Sequence, residues 1–176
     1  MVLRCVASEE EWNLLEGLYT KAFPDNERKP FAMIREKYRE NRTDVWVIEE
    51  EEAFSGFAIT MNSDALVLLD YFAISEEKRG KGLGGASLRA LYEKYSGKKL
   101  FLEVESLAVP ADNAEERRRR KQFYLNNGMT ELGVNARLFG VEFELLGYEC
   151  EVTFDDYFSL YDDIYGEYAS RFLEKM

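Results

Sequence analysis

Residues 66–85, LVLLDYFAISEEKRGKGLGG, join an apolar run to a glycine-rich loop. The apolar run, 66–74, is typical of a strand that is buried on both faces. The loop contains four glycines, Gly80, Gly82, Gly84 and Gly85. A helical pattern follows at residues 86–95. The free backbone N–H groups and the dipole at the start of a helix favour the binding of anions. Glycines have no side chain, so a ligand can approach the backbone closely. With Arg79 and Lys81 beside it, the stretch predicts a loop that binds pyrophosphate.

The composition is that of an acidic globular protein of 176 residues with a net charge of −11. Such a charge argues against binding to nucleic acid or to an anionic membrane surface. Cys5 and Cys150 form neither a disulfide framework nor a metal-binding spacing, so no metal is expected. The chain has no histidine, so proton transfer must use carboxylates, tyrosine, lysine or water. The sequence shows no signal peptide pattern and no apolar run long enough to span a membrane, so we expect a cytoplasmic protein.

The periodicity of the chain predicts a mixed α/β fold. Strands are expected at residues 2–6, 45–49, 54–60, 66–74, 100–104, 130–135 and 141–146. Helices are expected from residue 8 to before Pro24, and at 31–40, 86–95, 115–126 and 154–176. Short turns predict antiparallel pairing of most strands, whereas strand, helix and strand around the glycine loop predict one parallel crossover. We therefore expect a single domain over residues 1–176, a mostly antiparallel mixed sheet flanked by helices, with 154–176 as an amphipathic C-terminal helical extension.

Two other kinds of phosphate-binding loop are also rich in glycine, and this stretch fits neither of them fully. Gly80, Gly82 and Gly85 fit the dinucleotide pattern G-x-G-x-x-G, and Glu103 lies roughly where a ribose-binding acid is expected. However, a charged turn separates the strand from the first glycine, and too little chain follows the next strand for further βα units. A Walker loop fails because no Ser or Thr follows Lys81 at the required place. A plain helix-starting turn remains the structural alternative.

Several motifs resemble those of one family. Residues 79–84, RGKGLG, resemble the R/Q-x-x-G-x-G/A motif of the GNAT superfamily, the acyl-CoA-dependent N-acyltransferases. Residues 100–104, LFLEV, are similar to the family's fifth strand, and Ile74 stands where its fourth strand ends. Residues 123–129, FYLNNGM, resemble its (L/F)-Y-x-x-x-G-F segment, with Met129 in place of Phe. The order of the elements also matches, so the resemblance covers nearly the whole chain.

The resemblance implies that the chain binds acetyl-CoA and transfers its acetyl group to a primary amine by direct attack. Backbone N–H groups of the loop would hold the coenzyme A pyrophosphate, and a bulge in the fourth strand would expose backbone for the pantetheine arm. The coenzyme-binding residues implied in this way are Phe72, Ala73, Ile74, Arg79, Gly80, Lys81, Gly82, Leu83 and Gly84. The acceptor stays open between a small-molecule amine and a protein amine.

Three residues are implied as catalytic. Tyr124 matches the family's general acid, which protonates the departing thiolate. Glu103 matches a glutamate that acts as the base, often through water. Asp70 is a second candidate base, since alternation predicts it on the same strand face as Phe72 and Ile74. Each also has a structural alternative, a packed aromatic ring for Tyr124 and a charge partner for either carboxylate.

Some features depart from the family pattern. Arg117 occupies a position where the family often has Asn, and the segment 105–116 is longer than usual. Residues 24–30 are expected at the rim of the acceptor site. A different class of function, a sensor or scaffold that binds acyl-CoA without turnover, would use the same fold; the presence of Tyr124 and Glu103 favours the enzyme. The C-terminal aromatic helix could close the acceptor site, form a homodimer or cap the sheet.

Overall fold

A computed structural model describes all residues from Met1 to Met176. Its eight strands belong to one mixed, mostly antiparallel sheet with one parallel pair and flanking helices, which confirms the predicted fold class. In chain order the elements are β1 Val2–Cys5, α1 Glu9–Ala22, α2 Phe31–Arg39, β2 Thr43–Glu50, β3 Ala53–Asn62, β4 Leu66–Ile74, α3 Leu83–Lys94, β5 Lys99–Glu105, α4 Ala114–Asn126, β6 Met129–Leu138, β7 Val141–Tyr148, α5 Phe154–Tyr165, α6 Glu167–Ser170 and β8 Leu173–Lys175. None of these helices combines the length and the apolar character that crossing a bilayer requires.

The chain divides into two compact units. The first comprises Met1–Asn62 and Leu69–Ser96, and the second comprises Ser63–Leu68 and Gly97–Met176. Strand β4 contributes its first three residues to the second unit and the remainder to the first.

The first unit has the strand order β1-β2-β3-β4. Strands β1 and β2 pair antiparallel, as do β2 and β3, as the short turns between them predict. Helix α1 begins after Ser8, whose hydroxyl accepts a hydrogen bond from the Glu11 backbone N–H at 3.2 Å. Its apolar face, formed by Trp12, Leu15 and Tyr19, is buried in a core that includes residues of β2, β3 and β4. Burial of this face, rather than helix propensity alone, stabilises α1.

The second unit has the strand order β5-β7-β6-β8. Strand β7 pairs antiparallel with both β5 and β6, so the predicted final pair of strands is present. The helical pattern expected for 154–176 ends early, because α5 stops at Gly166 (φ 56°) and α6 is short. Strand β8 follows instead and pairs antiparallel with β6 from Ala136 to Leu138. That pairing satisfies backbone groups at an edge of the sheet that a helix would leave exposed.

Candidate active site

The glycine-rich loop follows β4 and shapes the start of α3. Gly80 and Gly82 have φ angles of 77° and 76°, a left-handed conformation that costs other residues about 1–2 kcal/mol. Because Gly82 takes this conformation as the cap, α3 begins at Leu83 and not at residue 86 as the periodicity predicts. A Cβ atom added to either glycine would meet no heavy atom within 4 Å. The loop therefore leaves open space beside its backbone.

The start of α3 has the electrostatic character of an anion site. Its first turn contains no acidic side chain, and the cap makes no side-chain hydrogen bond to it. The first N–H groups of a helix have no partner within the helix, and they lie at the positive end of its dipole. Arg79 and Lys81 are exposed beside this turn, and Arg79 Nε donates to the Ile74 carbonyl oxygen at 3.0 Å. The arrangement fits a phosphate group.

The end of β4 is packed closely against β3. A Cβ atom added to Gly56 would lie 2.4 Å from the Ala73 carbonyl oxygen, so only glycine fits at this position. Ala73 belongs to the same core cluster as α1, whereas Phe72 and Ile74 pack in a second cluster with Leu83 at the start of α3. Sequence reasoning missed Gly56, although an isolated glycine inside a strand pattern is a known signal of close backbone approach.

Asp70 forms a buried ion pair with Lys29, which lies in the loop before α2. Lys29 Nζ donates to the two carboxylate oxygens at 2.7 and 2.9 Å, and the side chains of Lys29 and Asp70 are 7% and 4% exposed. Burial raises the pKa of Asp70, and the nearby ammonium of Lys29 opposes that rise. Sequence reasoning missed Lys29, because nothing local distinguishes a lysine that will be buried from an exposed one.

Lys29 also lies close to the residue that follows Asp70 in β4. Lys29 Nζ lies 5.1 Å from the centre of the Tyr71 ring, so two adjacent residues of β4 contact one lysine. Neighbouring side chains of a regular strand point to opposite faces. In β4, Tyr71 and Ala73 pack in the core cluster of α1, whereas Phe72 and Ile74 pack in the second cluster, so the side chains alternate over these four residues. That Asp70 shares the face of Phe72 and Ile74 stays a prediction.

Tyrosine hydroxyls hold the segment around Lys29 in place. The Tyr19 hydroxyl donates to the Lys29 carbonyl oxygen at 2.8 Å, and the Lys29 N–H donates to the Tyr71 hydroxyl at 3.0 Å. The Tyr71 hydroxyl in turn donates to the Glu27 carbonyl oxygen at 3.0 Å. Burial raises the pKa of Tyr19, so its hydroxyl stays protonated as a donor. Residues 24–30, expected at an acceptor rim, are thus anchored through Lys29.

Glu103 lies in β5, in the second unit, and each of its carboxylate oxygens accepts a hydrogen bond from a tyrosine of α5. The Tyr157 hydroxyl donates to Oε2 and the Tyr161 hydroxyl donates to Oε1, both at 2.6 Å. Both tyrosines are completely buried. Sequence reasoning missed both partners of Glu103: Tyr161 belongs to the amphipathic pattern predicted for 154–176, and Tyr157 is not part of that pattern. The available signal was the residue type, because a tyrosine hydroxyl that is buried usually has a hydrogen-bond partner.

Tyr124 lies in α4, also in the second unit, and is 7% exposed. Its ring packs edge-on against that of Phe123, with ring centres 5.2 Å apart. Two helical turns earlier, Arg117 has a buried Nε atom without a hydrogen-bond partner. The packing of the Tyr124 ring is compatible with both roles considered for it, the general acid and the packed aromatic.

The predicted site residues are thus distributed over the two units. The first unit brings together the end of β4, the glycine-rich loop and the first turn of α3, and it also contains Asp70 in its ion pair with Lys29. The second unit contains Glu103 and Tyr124.

Comparisons with known proteins agree with this fold. A family model described as the acetyltransferase (GNAT) family matches residues 10–119. A Bacteroides thetaiotaomicron protein described as a GNAT-family acetyltransferase is 21% identical, with 94% of this chain and 99% of that chain covered and a TM-score of 0.79. An aminoglycoside 6′-N-acetyltransferase complexed with coenzyme A is 13% identical, with 84% and 96% covered and a TM-score of 0.68. A GNAT acetyltransferase from Elizabethkingia anophelis with acetyl-CoA bound is 14% identical, with 85% and 97% covered and a TM-score of 0.61.

A search of curated proteins found no significant sequence match. The solved structures, at these identities, show that the fold is shared. The family model spans more than half of the chain and includes the glycine-rich loop, which favours the acyl-CoA interpretation of that loop over the dinucleotide one. The chain belongs to the GNAT acetyltransferase family.

Proposed function

We propose that the protein transfers an acetyl group from acetyl-CoA to a primary amine. The observation that carries the donor assignment is the start of α3. Gly82 caps this helix without a side chain, its first turn has no acid, and Arg79 and Lys81 are exposed beside it. Backbone donors and cations of this kind suit a pyrophosphate.

In this proposal the coenzyme follows the end of β4 and the loop. The backbone N–H groups of residues 79–84 bind the pyrophosphate, and the backbone of residues 72–74 pairs with the pantetheine arm. An N–H group directed at the thioester carbonyl would stabilise the developing oxyanion, an effect that can lower a barrier by about 3 kcal/mol. The coenzyme A and acetyl-CoA complexes of two proteins with the same fold support this choice of donor.

The chemical step needs one base and one acid. The amine nitrogen attacks the thioester carbon, the carbon–sulfur bond breaks, and the ammonium proton leaves through a base while the thiolate gains a proton. We assign the base to Glu103, acting through water, and the acid to Tyr124. Asp70 is the second candidate base. Its carboxylate is paired with Lys29, so taking up a proton would leave a buried ammonium without its counter-charge.

Calorimetric titration with acetyl-CoA tests the donor assignment, with NAD and desulfo-CoA as comparators. We expect micromolar binding of acetyl-CoA and no binding of NAD. Gly82→Ala should weaken acetyl-CoA binding by at least about tenfold, or ~1.4 kcal/mol, because its Cβ enters space that the pyrophosphate needs. Gly97→Ala is the matched control, since Gly97 also has a positive φ, 87°, and open space around its Cβ position.

Equal weakening by Gly82→Ala and Gly97→Ala would attribute the effect to backbone strain and refute the loop assignment. Absence of acetyl-CoA binding to the wild-type protein would overturn the proposed function. Tyr124→Phe should bind acetyl-CoA normally and lose about 10²-fold in kcat on an amine substrate. Binding of acetyl-CoA without turnover of any amine in a broad panel would favour a sensor or scaffold instead.

A further inference from the structure

Helix α5 is anchored immediately before the tyrosines that contact Glu103. The Thr153 hydroxyl accepts from the Asp156 N–H at 3.1 Å, and the Asp156 carboxylate accepts from the Thr153 N–H at 3.0 Å. Such a reciprocal capping box fixes the first turn of a helix. Tyr157 follows directly, and Tyr161 lies one turn later on the same face.

The two tyrosine rings are held by packing on all sides. Both side chains have no exposed surface, and their ring centres lie 5.2 Å apart in an edge-on arrangement. The Tyr157 ring also packs edge-on against Phe101 of β5, with 6.2 Å between ring centres. Because the rings cannot shift without disturbing the core, the hydroxyl groups have fixed positions.

The two hydroxyls reach different oxygens of one carboxylate. Tyr157 bonds Oε2 and Tyr161 bonds Oε1 of Glu103, each at 2.6 Å, a distance typical of strong O–H···O⁻ bonds. Two donors on two oxygens define the plane of the carboxylate as well as its position. A phenol carries no positive charge, so these two bonds orient the carboxylate without neutralising it. A carboxylate oxygen can accept more than one hydrogen bond, so a phenol bond does not by itself prevent contact with a water.

We infer that Tyr157 and Tyr161 are positioning residues that hold the Glu103 carboxylate ready to accept a proton during acyl transfer. This inference rests on the proposed function, in which Glu103 is the base. It also assigns α5 a part in catalysis, through Glu103, in addition to its role in covering apolar residues.

The test compares Tyr157→Phe, Tyr161→Phe and the double variant with the wild-type enzyme. Phenylalanine keeps the ring packing and removes only the hydroxyl. Each single variant should lower kcat by about fivefold, and the double variant should lower it further. The KM for acetyl-CoA should not change, since a loss confined to kcat indicates an interaction that acts in the transition state. Tyr168→Phe is the control, because Tyr168 lies in the same C-terminal segment and is exposed.

Carbon-13 NMR of the glutamate side-chain carboxyl groups provides a readout that does not depend on turnover. The Glu103 resonance is identified by its loss in Glu103→Gln. It should move in Tyr157→Phe and Tyr161→Phe but not in Tyr168→Phe. A resonance that does not move would show that the contacts are absent, and the inference would be wrong.

The remaining outcomes separate the inference from the function on which it depends. If the resonance moves and Glu103→Gln loses turnover while both tyrosine variants retain full kcat, the tyrosines are structural only and the inference is overturned. If Glu103→Gln retains full turnover, or the wild-type protein acetylates no amine, the proposed role of Glu103 fails. A catalytic part for the tyrosine pair fails with it, although the NMR shifts would still establish the contact.

Discussion

Asp70 and Glu103 are the two carboxylates that the sequence offers as candidate bases, and they differ in their partners. Both oxygens of Asp70 accept from the ammonium of Lys29, whereas those of Glu103 accept from the neutral phenols of Tyr157 and Tyr161. A cation compensates the charge of a carboxylate, whereas a phenol stabilises and orients the carboxylate without adding a positive charge. Under the proposed function, we therefore expect Asp70 to hold a loop and Glu103 to accept a proton.

The cost of disturbing each carboxylate should differ accordingly. Removing one member of a buried ion pair leaves the other charge without compensation, which destabilises the folded state strongly. Replacing a carboxylate that accepts a proton during the reaction lowers turnover instead. The comparison thus predicts that changes at Lys29 or Asp70 reduce stability and changes at Glu103 reduce kcat.

The largest effect is expected for Lys29→Met, which leaves the buried charge of Asp70 without its partner. The free energy of unfolding should fall by about 3–5 kcal/mol, as measured by urea denaturation. The double variant Lys29→Met/Asp70→Val should recover most of this loss, because it removes both charges together. Lys21→Met is the matched lysine control. Its ion pair with Glu76 is exposed (71% and 70%), so the change should be at most about 0.5 kcal/mol.

An intermediate effect is expected for Glu103→Gln, which removes the charge but keeps a side chain of the same shape. Its kcat for acetyl transfer should fall by about 10²-fold, or ~2.7 kcal/mol of barrier, with the affinity for acetyl-CoA unchanged. Steady-state kinetics and calorimetry measure the two quantities. Asp70→Asn is the matched change in the other carboxylate and should lose stability while retaining kcat. The opposite pattern, with kcat lost only in Asp70→Asn, would make Asp70 the base.

The smallest effect is expected for Glu115→Gln at the start of α4. Glu115 forms ion pairs with Arg118 and Arg119, and all three side chains are at least 62% exposed. Exposed pairs of this kind contribute about 0.5 kcal/mol or less and are screened by salt. The free energy of unfolding should therefore change little, and less at high ionic strength. A loss comparable to that of Lys29→Met would show that burial does not account for the difference between ion pairs in this protein.

Much of the fold could be predicted from local patterns. The apolar run 66–74, the glycines after it and the helical spacing beyond them are each patterns of a few neighbouring residues. The local sequence therefore indicates a strand, a loop and a helix. The start of α3 was predicted too late, at residue 86 instead of Leu83, because Gly84 and Gly85 resemble loop residues and only the structure shows Gly82 as the cap. The final strand β8 was missed, because the helical spacing of the aromatic residues predicts a helix there. The segment is short, and its pairing with β6 is visible only in the structure.

By itself, the sequence determined the glycine-rich loop, the order of the elements as far as α5 and the motifs that identify the family, because each of these depends on neighbouring residues. Only the tertiary structure decided which side chains meet Asp70 and Glu103. Lys29 is 41 residues from Asp70, and Tyr157 and Tyr161 are 54 and 58 residues from Glu103. A hydrogen bond depends on distance and direction in space, and contacts across such separations arise only when strands and helices pack together.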